Sequence, residues 1–233
     1  MSISHPYTWL LFDADGTLFD YERAEAASLL GAFGEFGVPD TPEALPLYHK
    51  INDRLWKDFE QGQITQAELA GRRFEILFEG LGRPLPAGFS DVYLRHLGRN
   101  AFLMEGAEAV IRALQPRYKI AILTNGLTVV QRSRMERASI RDCISALVIS
   151  QEVGAAKPDA AFFDVAFERM GRPAKSEALM IGDSLTSDMR GASRYGLDTC
   201  WYNPSREPPP EDITLTYQIA RLEELMGLLL DSA

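Results

Sequence analysis

Cysteine is almost missing from this chain: Cys143 and Cys200 are the only two in 233 residues. Neither a disulfide framework nor a Cys/His metal knuckle can be built from them, because both need ligands in closely spaced sets. They read as two reduced thiols in the core. Histidine is nearly as scarce. His5, His49 and His96 stand in no metal-ligand spacing and read as surface or structural residues. No apolar run approaches the ~20 residues that span a bilayer, and Met1 to Tyr7 hold no basic stretch followed by an apolar one. A soluble, cytoplasmic protein is the expectation. Positive charge is in deficit too, with 24 Lys and Arg against 33 Asp and Glu and a formal net charge of −9. That balance argues against an extended nucleic-acid surface, which needs clustered cations to neutralise a phosphate backbone. It leaves room for a small anionic substrate, since one local positive site can oppose the global charge.

What the chain does hold is apolar material, 46% of its residues, enough for one large domain or one domain carrying an insert. Trp9-Leu10-Leu11-Phe12 stops abruptly at Asp13. Similar four-residue runs recur at Ile120–Leu123, Ala146–Ile149, Ala178–Ile181 and Thr199–Tyr202. Apolar with little alternation, they suit strands buried on both faces, as in a parallel sheet. Helical patterns lie between them at about 105–115, 128–138, 159–171 and 187–195. This alternation predicts a doubly wound, Rossmann-like α/β core. A loop around 204–212 should precede a last short strand and a helix near 221–230.

Residues 20–98 break the rhythm and read as consecutive helices. Thr65-Gln66-Ala67-Glu68 is a capping box that opens one of them, and Leu69, Phe74, Ile76, Leu77 and Leu81 supply its apolar face. The expectation is an all-helical cap over 20–98, inserted into a core made of 1–19 and 99–233.

Ligands of open parallel sheets bind outside the carboxyl ends of the strands, so the residues that follow each run carry the functional argument. The first run is followed by Asp13-Ala14-Asp15-Gly16-Thr17, the second by Thr124-Asn125-Gly126, and the fourth by Gly182-Asp183-Ser184 with Asp188 beyond. Lys157-Pro158 lies shortly after the third. Taken singly, these are turn signals, a helix cap and an ordinary lysine. Their joint order at strand ends fits one reaction.

Clustered ionised aspartates repel. Magnesium, which takes hard oxygen ligands and is commonly held by one or two carboxylates, resolves the conflict. Asp13 and Asp183 are the ligand candidates, the backbone carbonyl of Asp15 a third, and Asp188 an outer ligand or an orienting group. Asp13 suits a nucleophile that attacks phosphorus and forms an aspartyl-phosphate. Gly16 lets the backbone turn so that Asp15 faces the same site as its general acid and base. Thr124 suits a hydrogen bond to a phosphoryl oxygen, and Lys157 offsets charge on phosphate and Asp13.

At these four segments the sequence resembles the haloacid dehalogenase-like superfamily, over essentially its whole length. The resemblance implies Asp13 as nucleophile, Asp15 as acid/base and Asp183 as a magnesium ligand. It implies phosphate binding at Thr124 and Lys157, with Asn125 and Gly126 of the same segment counted as substrate-binding. Asp15, two residues after the nucleophile, favours phosphatases over dehalogenases, and over the ion pumps that carry threonine there. Within the superfamily the likeness is greatest to pyrimidine 5′-nucleotidases acting on nucleoside monophosphates. It extends to the segments Asn52–Gly62 and Val148–Gly154. Trp56, Phe59 and Tyr48 either stack a nucleobase or pack the helical core. The competing expectations are a sugar-phosphate phosphatase or mutase, and a catalytically silent protein that binds a phosphate ligand.

Overall fold

Six short strands form one sheet in the structure, a computed structural model that describes residues 7–230; His5 lies outside that range. β1 (Trp9–Phe12), β2 (Lys119–Thr124), β3 (Ala146–Ile149), β4 (Ala178–Gly182), β5 (Asp198–Tyr202) and β6 (Tyr217–Ile219) lie in the order β3-β2-β1-β4-β5-β6. Every neighbouring pair is parallel. The expected parallel sheet is therefore present, and its apolar runs fall where both faces are covered. β1 and β4 are buried at every residue, as central strands under flanking helices must be.

Ten helices accompany the strands among the described residues: α1 (Tyr21–Phe36), α2 (Ala44–Glu60), α3 (Gln66–Gly80), α4 (Phe89–Arg99), α5 (Ala107–Leu114), α6 (Thr128–Arg137), α7 (Ser150–Val153), α8 (Ala160–Arg169), α9 (Arg190–Tyr195) and α10 (Glu224–Leu230). On one face of the sheet Leu11, Ala121, Leu123 and Met180 pack against Phe162, Phe163 and Phe167 of α8 and Ala192 of α9. The chain runs from β1 to β2 to β3 in one direction and then returns to place β4 on the other side of β1. The winding thus reverses between β1 and β4, the position at which sheets of this kind bind ligands. No helix among the described residues is long and apolar enough to cross a membrane.

The chain divides into two compact units. One is α/β and holds the sheet; the other comprises Glu22–Ala101 with Val129–Arg134 and is helical. In the helical unit, Phe33, Tyr48, Phe74, Phe78, Phe89 and Tyr93 are all buried. Their rings meet in tilted, edge-on and stacked pairs, with Phe78 and Phe89 centred 4.8 Å apart, arrangements that add to simple area burial. The capping box at the start of α3 is complete: Thr65 Oγ accepts from the Glu68 N–H, and Glu68 accepts from the Thr65 N–H at 2.7 Å. A buried polar tie also joins three helices here. Asn52 donates to Glu25 at 2.8 Å and accepts from Arg73 at 3.3 Å. His49 and His96 each face a carboxylate, Glu25 and Glu35 respectively.

One helix differs from its sequence pattern. The segment expected as a helix over 187–195 opens with a wide turn, Leu185–Met189, in which both Asp188 N–H and Met189 N–H bond to the Ser184 carbonyl. Ser184 Oγ caps the turn by accepting from Ser187 N–H at 3.1 Å. The widened turn sets Asp188 fully inside the protein; such local widening of a helix is common at functional sites.

Candidate active site

Register places the acidic residues. Phe12 pairs with Ile122 on one side and Ile181 on the other, so Asp13 leaves β1 one residue before the end of β4. Its N–H still bonds to the Ile181 carbonyl at 2.9 Å. Asp183 follows directly after β4. One carboxylate oxygen from each of Asp13, Asp183 and Asp188 lies within 4.8 Å of the others.

Two glycines make the approach possible. Gly16 has φ +84°, and a side-chain carbon there would sit 2.7 Å from an oxygen of Asp183. A Cβ on Gly182 would collide with the Asp188 carboxylate. A side chain at either position would displace one of these carboxylates, and at Gly16 it would be strained by the backbone as well. After Gly16 the chain curls back, with Gly16 N–H bonded to the Phe19 carbonyl and Phe19 N–H to that of Ala14. The same curl buries Thr17, whose hydroxyl donates to Asp183 Oδ1 at 2.8 Å. Asp15 sits on this turn, half-buried.

Lys157 is the cation of the site. Read alone in the sequence it is an ordinary surface lysine; in the structure it is 2% exposed. Its ammonium donates to Asp13 Oδ1 at 2.5 Å, Asp188 Oδ1 at 2.6 Å and the Leu123 carbonyl at 2.6 Å. An ammonium has three protons, and each has an acceptor here. Burial alone would lower the Lys157 pKa, but Asp13 and Asp188 override it and hold the value above that of a free lysine. Asp188 oxygens are both engaged, one by Lys157 and the other by the Ser184 N–H at 3.2 Å.

Three carboxylates against one ammonium leave the cluster short of positive charge. Burial pushes the Asp13 carboxyl up, and Asp188 and Asp183 push the same way against the opposing pull of Lys157. Asp183 is pushed up to about 7, first by burial and then by Asp188. A hard divalent cation relieves this strain, and an all-oxygen donor set of this kind fits magnesium.

On the other side of β1, Thr124 ends β2, fully inside, and its Oγ accepts from the Gly126 N–H at 3.0 Å. The hydroxyl proton is thus left to donate elsewhere. The Asn125 side chain turns to the Lys157 main chain.

A family model described as a haloacid dehalogenase-like hydrolase matches residues 7–196. The chain belongs to the haloacid dehalogenase-like hydrolase family. Two of its relatives are the pyrimidine 5′-nucleotidase YjjG of Escherichia coli (strain K12), 37% identical over 96% of this chain and 98% of that protein, and the pyrimidine 5′-nucleotidase PynA of Streptococcus pneumoniae, 33% identical over 96% of this chain and 95% of that protein. Among solved structures, the HAD-hydrolase YfnB of Bacillus subtilis, bound to magnesium, superposes with a TM-score of 0.90 at 36% identity, covering 96% of this chain and 98% of that one.

In this family member Asp13, Asp183, Asp188 and Lys157 come together, and Thr124 and Asn125 stand at the end of the adjoining strand. Trp56 belongs to the helical unit, where it is half-buried and meets Phe59 edge-on at 5.7 Å. Tyr48 is wholly enclosed, stacked on Phe74, so of its two readings core packing holds. Two residues escaped the sequence reading. Thr17 was visible only as the tail of the first acidic segment, yet it orients Asp183. Trp201 of β5 donates its indole N–H to the Asp183 carbonyl at 2.9 Å. Nothing local in the sequence signals that role, which comes from the pairing of Gly182 with Trp201 across neighbouring strands.

Proposed function

We propose that this hydrolase is a magnesium-dependent phosphomonoesterase acting through an aspartyl-phosphate on Asp13, and that its substrates are nucleoside 5′-monophosphates, pyrimidine ones foremost. The observation that carries the reading is the meeting of Asp13, Asp183 and Asp188, the first and last of them paired with the Lys157 ammonium, at the reversal of the sheet. The substrate class rests on the nucleotidases to which the chain is similar over nearly its full length.

Asp13, Asp183 and the Asp15 carbonyl would hold the ion. Asp188, with both oxygens already engaged by Lys157 and Ser184, suits the orienting role. Bound there, magnesium supplies charge neutralisation for the carboxylates and the phosphate together. An Asp13 oxygen attacks phosphorus while Asp15 gives its proton to the departing ester oxygen. Asp15, now a carboxylate, takes a proton from the water that attacks the aspartyl-phosphate, which releases inorganic phosphate and restores Asp13. The Thr124 hydroxyl donates to a phosphoryl oxygen. Lys157 reaches the same group by sharing one of its three protons. Asp13, 8% exposed, is a more accessible partner for that sharing than the fully enclosed Asp188.

The test is phosphate release from a panel of uridine, thymidine, cytidine and purine 5′-monophosphates alongside hexose phosphates, with magnesium and with chelator. Turnover should be greatest on a pyrimidine nucleotide, vanish with chelator, and fall by at least about 10³-fold in Asp13→Asn, the scale on which loss of a nucleophile acts. Full activity in Asp13→Asn defeats the mechanism. Preference for a hexose phosphate, or isomerised sugar in place of free phosphate, moves the assignment to the sugar-phosphate enzymes. Binding of esters with no turnover makes the chain a silent ligand-binding protein.

A further inference from the structure

The side-chain amide of Asn125 grips one residue at two points. Its Nδ2 donates to the Lys157 carbonyl, and the Lys157 N–H donates to its Oδ1, both at 2.9 Å. Such a reciprocal pair needs a donor and an acceptor on one short, planar group, which among side chains of this length only asparagine provides. The tip of Lys157 is referenced to the same strand end, since its ammonium donates to the carbonyl of Leu123, two residues before Asn125. Both ends of the lysine are therefore measured from the exit of β2. A second link runs beside it, from the Thr128 N–H to Gln151 Oε1 at 2.8 Å, and ties the segment after β2 to α7.

Lysine has a long, freely rotating stem, and ordering it costs rotamer freedom. A backbone clamp removes part of that freedom in advance by fixing the point from which the stem starts. We propose that Asn125 is a positioning residue for Lys157 and acts on turnover through it, not through contact with substrate. The inference rests on the phosphatase reading above, in which Lys157 steadies the transferring phosphoryl group, and it replaces the substrate-binding role that the sequence suggests for Asn125.

Three measurements test it. In a crystal structure of Asn125→Ala, the Lys157 ammonium should leave its present contacts with Asp13 and Asp188; an unmoved ammonium overturns the proposal, whether or not the protein turns over any ester. With the best substrate of the panel, Asn125→Ala should lower kcat by about 10- to 100-fold, the usual cost of removing a group that orients a functional residue. KM should stay within about threefold, because no substrate contact is lost. A raised KM with kcat retained, or wild-type kinetics, counts against the proposal. The same substitution in a Lys157→Ala background should add less than about a threefold further loss, since coupled residues are non-additive; an undiminished loss there shows that Asn125 acts without Lys157. If Asn125→Ala folds poorly by circular dichroism, Asn125→Asp carries all three measurements, since it keeps the size and the acceptor and lacks the donor. Absence of turnover in the wild type would refute the phosphatase reading alone, and the crystal structure would still decide the clamp.

Discussion

At the scale of single residues, the site is built by opposing burial with partnership. Asp13, Asp188 and Lys157 are all withdrawn from water, and each is tolerated because the others supply charge and hydrogen bonds. Asp183 is less well served: Thr17 donates to it, but the charge that acts on it most is the Asp188 carboxylate, which outweighs Lys157. This gives a stability prediction with a definite sign. Below about pH 4 the carboxyl is protonated folded and unfolded, and contributes nothing. Between about 4 and about 7 the unfolded chain ionises first, so metal-free stability falls as pH rises, and above about 7 the whole penalty is present. Asp183→Asn keeps an acceptor for Thr17 and removes one of three crowded charges. In chelator at pH 8 it should unfold at higher denaturant than the wild type, by about 1–3 kcal/mol after allowance for solvent screening. The gap should close at pH 4 and reverse when magnesium is added, because the variant has lost a ligand. Equal stability of the two proteins at pH 8 in chelator would show that the crowding is not felt.

At the scale of elements, the helices obey local chemistry that could be read in advance. The Thr65–Glu68 box opens α3 as its spacing predicts, since each side chain satisfies an N–H that the first turn leaves without a partner. Thr65→Ala should cost about 1 kcal/mol in chemical denaturation; no change would mean that tertiary packing alone defines the start of α3. The strands were legible for a related reason. Central parallel strands must be apolar on both faces, so Leu10, Leu11 and Phe12 announce β1, and Asp13 announces its end. The helix after β4 was less legible. Asp188 turns its carboxylate back to the Ser184 N–H and Lys157, and that distant lysine is invisible to a periodicity taken over 187–195.

At the scale of the whole molecule, the two compact units have separate cores, and the three candidate metal ligands all lie in the α/β unit. Ligand linkage should follow that partition. Magnesium at about 100 times its Kd adds about 2.7 kcal/mol to whatever opening destroys the site. Hydrogen exchange should therefore slow at the amides of β1, β2 and β4, while local openings of α2 and α3 keep their metal-free rates. Equal slowing in both units would show that they open as one body.

The sequence by itself determined which segments are the first five strands, where each ends to within about one residue, and that acid, hydroxyl and amine groups follow those ends, because burial on two faces and the termination of a strand are local properties of composition. Only the tertiary structure decided which ends are neighbours. The order β3-β2-β1-β4-β5-β6 places Asp13 beside Asp183, aims the Trp201 indole at the Asp183 carbonyl, and encloses Lys157 between two carboxylates with Asn125 gripping its backbone. The ion pair of Lys157 with Asp13 alone spans 144 positions of the chain. They depend on how sheet and helices close upon one another, and no window of sequence contains them.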